Sequence, residues 1–592
     1  MLLGYDIINS SYIVNKVKIV QNVTNKKLFK RRKNMKRVLT VLMALVMLFS
    51  VAACTPSGND GDVEMKKYEY TTGYDETKFN TPGTFPVFKE KQTIEVMLYD
   101  NQYVENWDTN TQTLMLEEDL NADLVLEVLP SKEYSTKINL MAASGGEEFK
   151  DVVLGNFSDG MTLNLADSEV IVPVTEYMYN TDMAYYSIEA KDRLGWDYYP
   201  YITMPDGEIY GLPNITESLG NSKPAKCYVY KPWFDAAGID ISEIHTTEEF
   251  KEALLTVVKG DPNGNGKADE VGITSKSSSL RWFQYLMNPF VYAGESDYMY
   301  VKDGTLGFAY QTEEWKEGLK FIKELYDLGL IDPLALSQDS ASFKSMLNYD
   351  ETIVTSFVDL GAGSISETDK RRVEYEAVAP LNSAWNDGKP LASQVLTEPK
   401  IKFVISKNAD DPETAFLFGD LMMSEKYSVH QRYGEKGVDW LEPDEDDVSL
   451  YSPLGYDAYM VSILPWSTMQ NKHWCCTGPL ALTKNVTAGV AWSGNPLDNN
   501  IKIAEAQVLY EEHGPKEDIT KLIYTVEEDE IVADGLSALT SYVEEMAAKF
   551  ITGTKDIDAD WDEFQNQIKS MNPEGVLECA QAAYDRMQAI AG

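Results

Sequence analysis

From residue 92 onward, short apolar runs alternate with amphipathic stretches. Gln92–Asp100 (QTIEVMLYD) is apolar with β-branched positions, and a segment rich in helix formers follows it. Ala122–Pro130 (ADLVLEVLP), YSTKINLMAASGG and Asp151–Gly155 (DVVLG) continue the alternation. Strand, helix, strand, helix, strand at this spacing predicts a parallel sheet flanked by helices. Farther along, TTEEFKEALLTVVKG opens on Thr247 with acids in its first turn. TEEWKEGLKFIKELYDLGLIDP starts on Thr312 and stops at Gly329, with Pro333 beyond. In the second of these helices Trp315, Leu319, Ile322 and Leu325/Tyr326 fall on one stripe, the pattern of core packing. The C-terminal part is also mainly helical, and the chain shows no internal repeat.

One apolar run has a different character. In MKRVLTVLMALVMLFSVAAC, Lys36 and Arg37 precede a nearly unbroken apolar stretch, Val38–Ala53, and small residues lead into Cys54. That layout is an export signal. The run falls short of the roughly 20 residues a helix needs to cross hydrocarbon. VAAC resembles the lipobox of bacterial lipoproteins, which implies a diacylglycerol-bearing Cys54 as the mature N-terminus. The expected organisation is therefore a non-native extension over 1–34, a lipoprotein signal peptide over 35–53, a polar tether over 54–90 and a folded region over 91–592.

A chain of 592 residues with 44% hydrophobic and 25% charged residues has the composition of a soluble globular protein with ample core. Residues 1–53 hold ten Lys/Arg and one Asp, which leaves 42 basic and 93 acidic residues and a net charge of −51 for the remainder. Such a surface repels nucleic acid. Beyond Cys54 the cysteines are Cys227, Cys475, Cys476 and Cys579, too few for a disulfide framework. The adjacent pair Cys475 and Cys476 reads as buried thiols, with a strained vicinal disulfide or metal binding as the other possibilities.

The stretch DPNGNGKADEVG, Asp261–Gly272, carries candidate metal chemistry. A hard cation such as Ca2+ takes six to eight oxygens, and alternate side chains on a tight loop can all point inward. Asp261, Asn263 and Asn265 supply three at alternate positions, Gly266 allows the turn, Lys267 offers its carbonyl, and Asp269 follows. The acid that closes an EF-hand loop is missing, because that position is Gly272, and Glu270 is the nearest substitute. A solvated Asn-Gly turn is the alternative. With no catalytic group beside it, a bound Ca2+ here would be structural.

Together with the lipobox and this loop, CYVYKPWFDAAGIDISEIHTTEEFKEALLTVVKGDPNGNGKADEVGI resembles the family 1, oligosaccharide-importing class of extracellular solute-binding proteins. IYGLPN, LYDLGLIDP, VAPLNSAWNDGKP, ISKNADDPETAFLFGDLMMSEK and FITGTKDIDADWDEF agree in order, so the resemblance spans almost all of the folded region. It implies a two-lobed, periplasmic-binding-protein-like type II α/β fold, with interlobe crossovers and a ligand cleft between the lobes. It also implies calcium on Asp261, Asn263, Asn265, Lys267, Asp269 and Glu270, with Glu270 as the closing acid.

The function this implies is capture of an oligosaccharide by a lipid-anchored monomer on the extracellular face of a bacterial cell membrane, with delivery to the transmembrane subunits of an ABC permease. Sugar faces stack on aromatic rings, and the chain has 11 Trp and 35 Tyr. Those on irregular polar stretches, Trp107, Trp282, Tyr285, Trp385, Trp466 and Trp474, are the expected contacts. Asn156 joins them because it follows a strand at the edge where open α/β sheets bind ligands. The rival readings are a surface-anchored carbohydrate-active enzyme and a ligand-presenting receptor domain for a sensor kinase. Against the enzyme stand the missing GxSxG, HExxH and P-loop patterns and four histidines with no ligand spacing.

Overall fold

The computed structural model describes residues 68–591 apart from 278–279, 295–296, 350–353, 387, 465–467 and 493. The extension, the signal peptide, Cys54, the first part of the expected tether and Trp466 lie outside the described residues. The rest of that tether is not a free linker. Phe79 and Phe88 are buried in the adjacent lobe, and Thr71 bridges to Asn180. Two aromatic anchors within a polar stretch are enough to hold it down, since each removes a large apolar area from water.

The predicted alternation is present. β1 (Gln92–Tyr99), β2 (Ala122–Leu129) and β3 (Val152–Leu154) are linked by helices Thr111–Leu120 and Tyr134–Ala143. β1 pairs in parallel with both β2 and β3, as βαβ connections require. β4 (Gly211–Thr216) adds to the same sheet, after which the chain crosses to a second one.

There it forms β5 (Lys226–Tyr230), β6 (Val271–Thr274), the hairpin β7 (Met299–Lys302) and β8 (Thr305–Phe308), β9 (Val354–Asp359) and β10 (Tyr375–Val378). The chain then returns to the first lobe for β11 (Lys400–Ile405), the two-stranded pair β12 (Trp440–Leu441) and β13 (Val461–Ser462), and β14 (Leu480–Leu482). The first sheet has the order β14-β4-β11-β3-β1-β2 and the second β10-β5-β9-β6. Two separate buried clusters underlie the two sheets. The C-terminal helices Val526–Ile551, Ile557–Ser570 and Pro573–Ala591 belong mainly to the second.

Local signals place the helices. Thr246 caps Thr247–Lys259 in a capping box with Glu249, and the Thr312 hydroxyl accepts from Trp315 N at 3.2 Å at the start of Glu313–Asp327. The stripe of Trp315, Leu319, Ile322 and Leu325 is fully buried. Among the described residues no helix is long and apolar enough to cross a membrane.

Candidate functional site

The strand directions bring one edge of each sheet together. β1, β3 and β4 end at an edge of the first sheet where antiparallel β11 begins, so the outgoing segment 217–225 and the incoming segment 379–399 both attach there. In the second sheet Lys226 pairs with Asp359 and Cys227 with Val378, so β5 starts where β9 and β10 end. The two edges therefore meet at the crossovers, which is where a ligand cleft forms in open α/β sheets.

A cavity of about 630 Å3 lies at this junction. The outgoing crossover supplies Thr216, Ser218, Gly220 and Asn221. The first lobe adds Arg432 and Tyr433 from the end of helix Glu425–Tyr433, with Tyr451. Asp498, Asn500 and Ile503 come from the start of helix Asn499–Tyr510. That helix packs on the second lobe, where Tyr510 Oη donates to Val378 O at 2.7 Å. Hydroxyls, amides and two tyrosine rings suit a polyhydroxylated solute, and the volume lies in the range of small-molecule sites.

Beside the cavity, the edge of the first sheet carries a polar cluster. Lys402, the third residue of β11, hydrogen-bonds through Nζ to Asn156 Oδ1 and lies 5.9 Å from the centroid of the Tyr99 ring. Tyr99 interacts with Asn156 and Thr477, and burial raises the pKa of its hydroxyl. Asn214 Nδ2 donates to Cys476 O at 3.2 Å. Burial pulls the Lys402 amine down to about 8, and it raises the Cys476 thiol even though Arg432 and Lys402 oppose it. Both Cys475 and Cys476 adopt positive φ, at 51° and 58°, and both are free thiols. On the facing edge Asp359 binds Lys276 at 3.1 Å and also Arg281, while Lys226 donates to Gly220 O at 2.8 Å. Burial brings the Lys226 amine down to about 7.

The residues expected from sequence to contact the ligand distribute unevenly. Asn156 does sit on this edge. Trp474 has no exposed surface, donates its indole N–H to Thr113 Oγ1 at 2.9 Å and meets Trp107 edge-on at 5.7 Å between centroids. Trp107, Trp282 and Tyr285 are likewise buried in the lobe cores, Tyr285 with its hydroxyl on Ala379 O at 3.2 Å. In this conformation these four offer no face to a sugar, because their rings are already covered by apolar neighbours. Trp385 is 48% exposed on the segment after β10. The residues missed are Tyr99, Lys402, Arg432, Tyr433 and Tyr451. Tyr99 ends a strand at the same edge as Asn156 and was open to the same argument. Lys402 comes 246 positions after Asn156 and had no local signal.

The loop 261–270 is held by hydrogen bonds among its own side chains and backbone. Asp261, at φ 48°, accepts from Asn265 N and Gly266 N, both at 3.0 Å, and Asn265 Oδ1 accepts from Lys267 N at 2.7 Å. Both asparagine amides donate to Asp269, and Glu270 Oε1 is buried with no hydrogen-bond partner. A buried, unsatisfied carboxylate oxygen is costly without a cation or donor. Among the described residues no three His, Cys, Asp or Glu side chains converge as a metal site. The oxygens of the loop are a mixture of carboxylates (Asp261, Asp269, Glu270) and asparagine amides, and both amide oxygens accept from backbone N–H groups of the loop.

Gly272 cannot carry the closing acid, because a Cβ there would lie 2.1 Å from Leu330 O, against which β6 is bonded through Ile273 N at 2.7 Å. Glu270, just before the strand, meets no such neighbour.

The family model for bacterial extracellular solute-binding proteins matches residues 98–429. The chain is 25% identical over 532 residues to the fructooligosaccharide ABC transporter substrate-binding protein FusA of Streptococcus pneumoniae serotype 4, covering 86% of this chain and 92% of FusA. It is also 25% identical to lipoprotein LipO of Bacillus subtilis, over 43% of this chain and 47% of LipO. Solved structures of FusA align over 84% of this chain and all of theirs at 21% identity. They are FusA with kestose, at a TM-score of 0.64, and an EF-hand mutant with fructo-nystose, at 0.63. An HMO-binding solute-binding protein from Bifidobacterium longum infantis aligns over 84% of this chain and 99% of its own at 16% identity and a TM-score of 0.66. By the family match and the two-lobed architecture together, the chain belongs to the bacterial extracellular solute-binding proteins, which are binding proteins and not enzymes.

Proposed function

We propose that this protein captures an oligosaccharide between its two lobes and delivers it to an ABC import permease. The observation that carries the proposal is the cavity of about 630 Å3 at the crossovers, lined by hydroxyls, amides, Arg432, Tyr433 and Tyr451. FusA, named for fructooligosaccharide transport and matched over 92% of its length, supports the same reading. A ligand that touches both lobes favours the closed state by its extra contacts there, and the closed state is what a permease distinguishes. Tyr433 and Tyr451 line the cavity, Asn156 and Asn214 serve as hydroxyl partners, and Trp385, the exposed aromatic, is a contact at the rim.

A lipid on Cys54 holds the monomer at the extracellular face of the membrane. The basic flank, apolar run and small residues before that cysteine support this, as does the lipoprotein name of LipO. A calcium ion held by Asp261, Asn263, Asn265, Lys267 O, Asp269 and Glu270 clips helix Thr247–Lys259 to β6. The unpartnered Glu270 Oε1 and the EF-hand described for FusA support that role.

A thermal-shift screen of the purified chain against an oligosaccharide panel, with and without a chelator, tests the reading. A bound sugar raises Tm by mass action and is recovered unmodified by mass spectrometry. A panel that leaves Tm unmoved, or a sugar returned cleaved, refutes it. Chelation lowers Tm but leaves the sugar's increment in place if the metal is a clip.

A further inference from the structure

Residues 514–525, which lead from the turn after helix Asn499–Tyr510 to helix Val526–Ile551, form no helix or strand. Their apolar side chains divide between the lobes. Ile519, Leu522 and Tyr524 pack on the buried cluster of the second lobe, whereas Ile523 is buried in that of the first, where Val526 also packs. The last helix, Pro573–Ala591, grips this strap through Arg586, which donates from Nη2 to Ile523 O at 3.2 Å and from Nη1 to Glu528 Oε1 at 2.8 Å. The strap also meets the incoming crossover, where Gln394 Nε2 donates to Asp518 Oδ2 at 3.1 Å.

From the same strap Lys521 reaches into the first lobe. Its buried ammonium lies 2.8 Å from Asp159 Oδ1, at the start of helix Asp159–Asp167, and donates to Tyr201 O at 3.0 Å and Pro399 O at 3.3 Å. Asp159 follows β3, Tyr201 precedes β4 and Pro399 stands just before β11, so the three acceptors come from three separate segments of the first lobe. An ammonium has three N–H donors, and here each finds an oxygen. Neither Lys521 nor any of these acceptors lines the cavity at the crossovers.

We propose that Lys521 is an interlobe clasp: it fastens a strap that is packed on the second lobe to three segments of the first, and so sets the angle at which the lobes rest. It is a positioning residue for solute capture and touches no solute. A contact made in one arrangement of the lobes and lost in another biases the equilibrium by its differential free energy, whatever the ligand. The Asp159 side chain is 24% exposed, so water takes over its carboxylate when the ammonium is removed, and the lobe folds without it.

The test is pulsed electron–electron double resonance on the full chain without added sugar, with spin labels attached through p-acetylphenylalanine so that the native thiols stay unlabelled. One pair, at exposed Leu140 and Leu334, spans the lobes, and a control pair, at exposed Leu114 and Leu140, lies within the first. Lys521→Met depletes the interlobe distance favoured by the parent at least about tenfold relative to other distances, the scale of one hydrogen bond to a charged group. The control distance stays where it was. Asp159→Asn, which keeps an acceptor and drops the charge, shifts the interlobe distribution the same way by less.

Melting curves establish that the variants fold, and Asp159→Asn decides the matter if Lys521→Met does not. An interlobe distribution that stays put in a folded variant overturns the inference. So does a control distance that moves with it, since Lys521 would then only hold the first lobe together. No sugar takes part, so either result leaves the oligosaccharide reading standing.

Discussion

Replacing Trp474 by alanine separates a core residue from a sugar platform. The ring has no exposed surface, so truncation removes a complete set of apolar contacts, the hydrogen bond to Thr113 Oγ1 at 2.9 Å and the edge contact to Trp107. Trp→Ala at a buried site costs about 3–5 kcal/mol. Within that, the aromatic pair contributes about 0.5–1.5 kcal/mol and the hydrogen bond about 1 kcal/mol. Trp474→Phe keeps the edge contact and loses the N–H, for a cost of about 1–2 kcal/mol.

Because Trp107 and Trp474 touch, the double alanine variant costs less than the two single variants added together, by about the pair term. Urea unfolding followed by far-UV circular dichroism and by tryptophan fluorescence measures all four proteins. Two probes are needed because a two-lobed chain need not unfold in one step. Ligand titration of the variants under native conditions completes the set. If Trp474→Ala lowers stability by less than about 1 kcal/mol, well short of the buried-site cost, and abolishes ligand binding, the ring is a ligand contact and the argument from burial is wrong.

Three further outcomes follow from the same structure. Glu270→Gln, made at a buried carboxylate oxygen without a protein partner, lowers calcium affinity at least about tenfold, as measured by competition with a fluorescent chelator. An unchanged affinity removes Glu270 from the shell. Gly272→Glu, which would complete an EF-hand pattern, lowers Tm and does not tighten calcium, since its Cβ meets Leu330 O. A variant that melts normally and binds more tightly refutes the steric account. Finally, burial lowers the pKa of His473, which is 1% exposed, to about 4. Its unfolded form takes up a proton first as the pH drops below about 6.5, so stability is lost between there and pH 4, by about 3 kcal/mol in full. Urea midpoints at pH 7 and 4.5 should differ less in His473→Gln than in the parent, and an equal difference in both proteins contradicts this.

Local order was legible wherever the physics is local. The apolar runs at 92–99, 122–129 and 152–154 became parallel neighbours, and Thr246 and Thr312 capped their helices, because hydrogen bonds within a few residues decide both features. The oxygen spacing of Asp261–Glu270 was readable for the same reason. Why Glu270 rather than position 272 holds the acid was not, since the excluded volume at Gly272 belongs to Leu330 in another part of the chain.

The cleft shows the other limit. Irregular stretches have no periodicity, so nothing in NKHW or ENWD distinguishes a ring under a lobe from one at its mouth, and only packing settled that Trp474 and Trp107 face each other. Tyr433 and Tyr451 line the cavity because distant segments fold together around it.

The sequence alone determined the α/β alternation, the helix ends, the acidic composition and, as expectations, the oxygen spacing of the loop and an anchor at Cys54. Tertiary structure decided that β11 and β14, made after the second lobe, complete the first sheet. It also decided that Lys402 meets Asn156 across 246 positions. The reason is that covalent neighbours set backbone conformation, whereas contacts between segments far apart in the chain exist only once the sheets have closed around their cores.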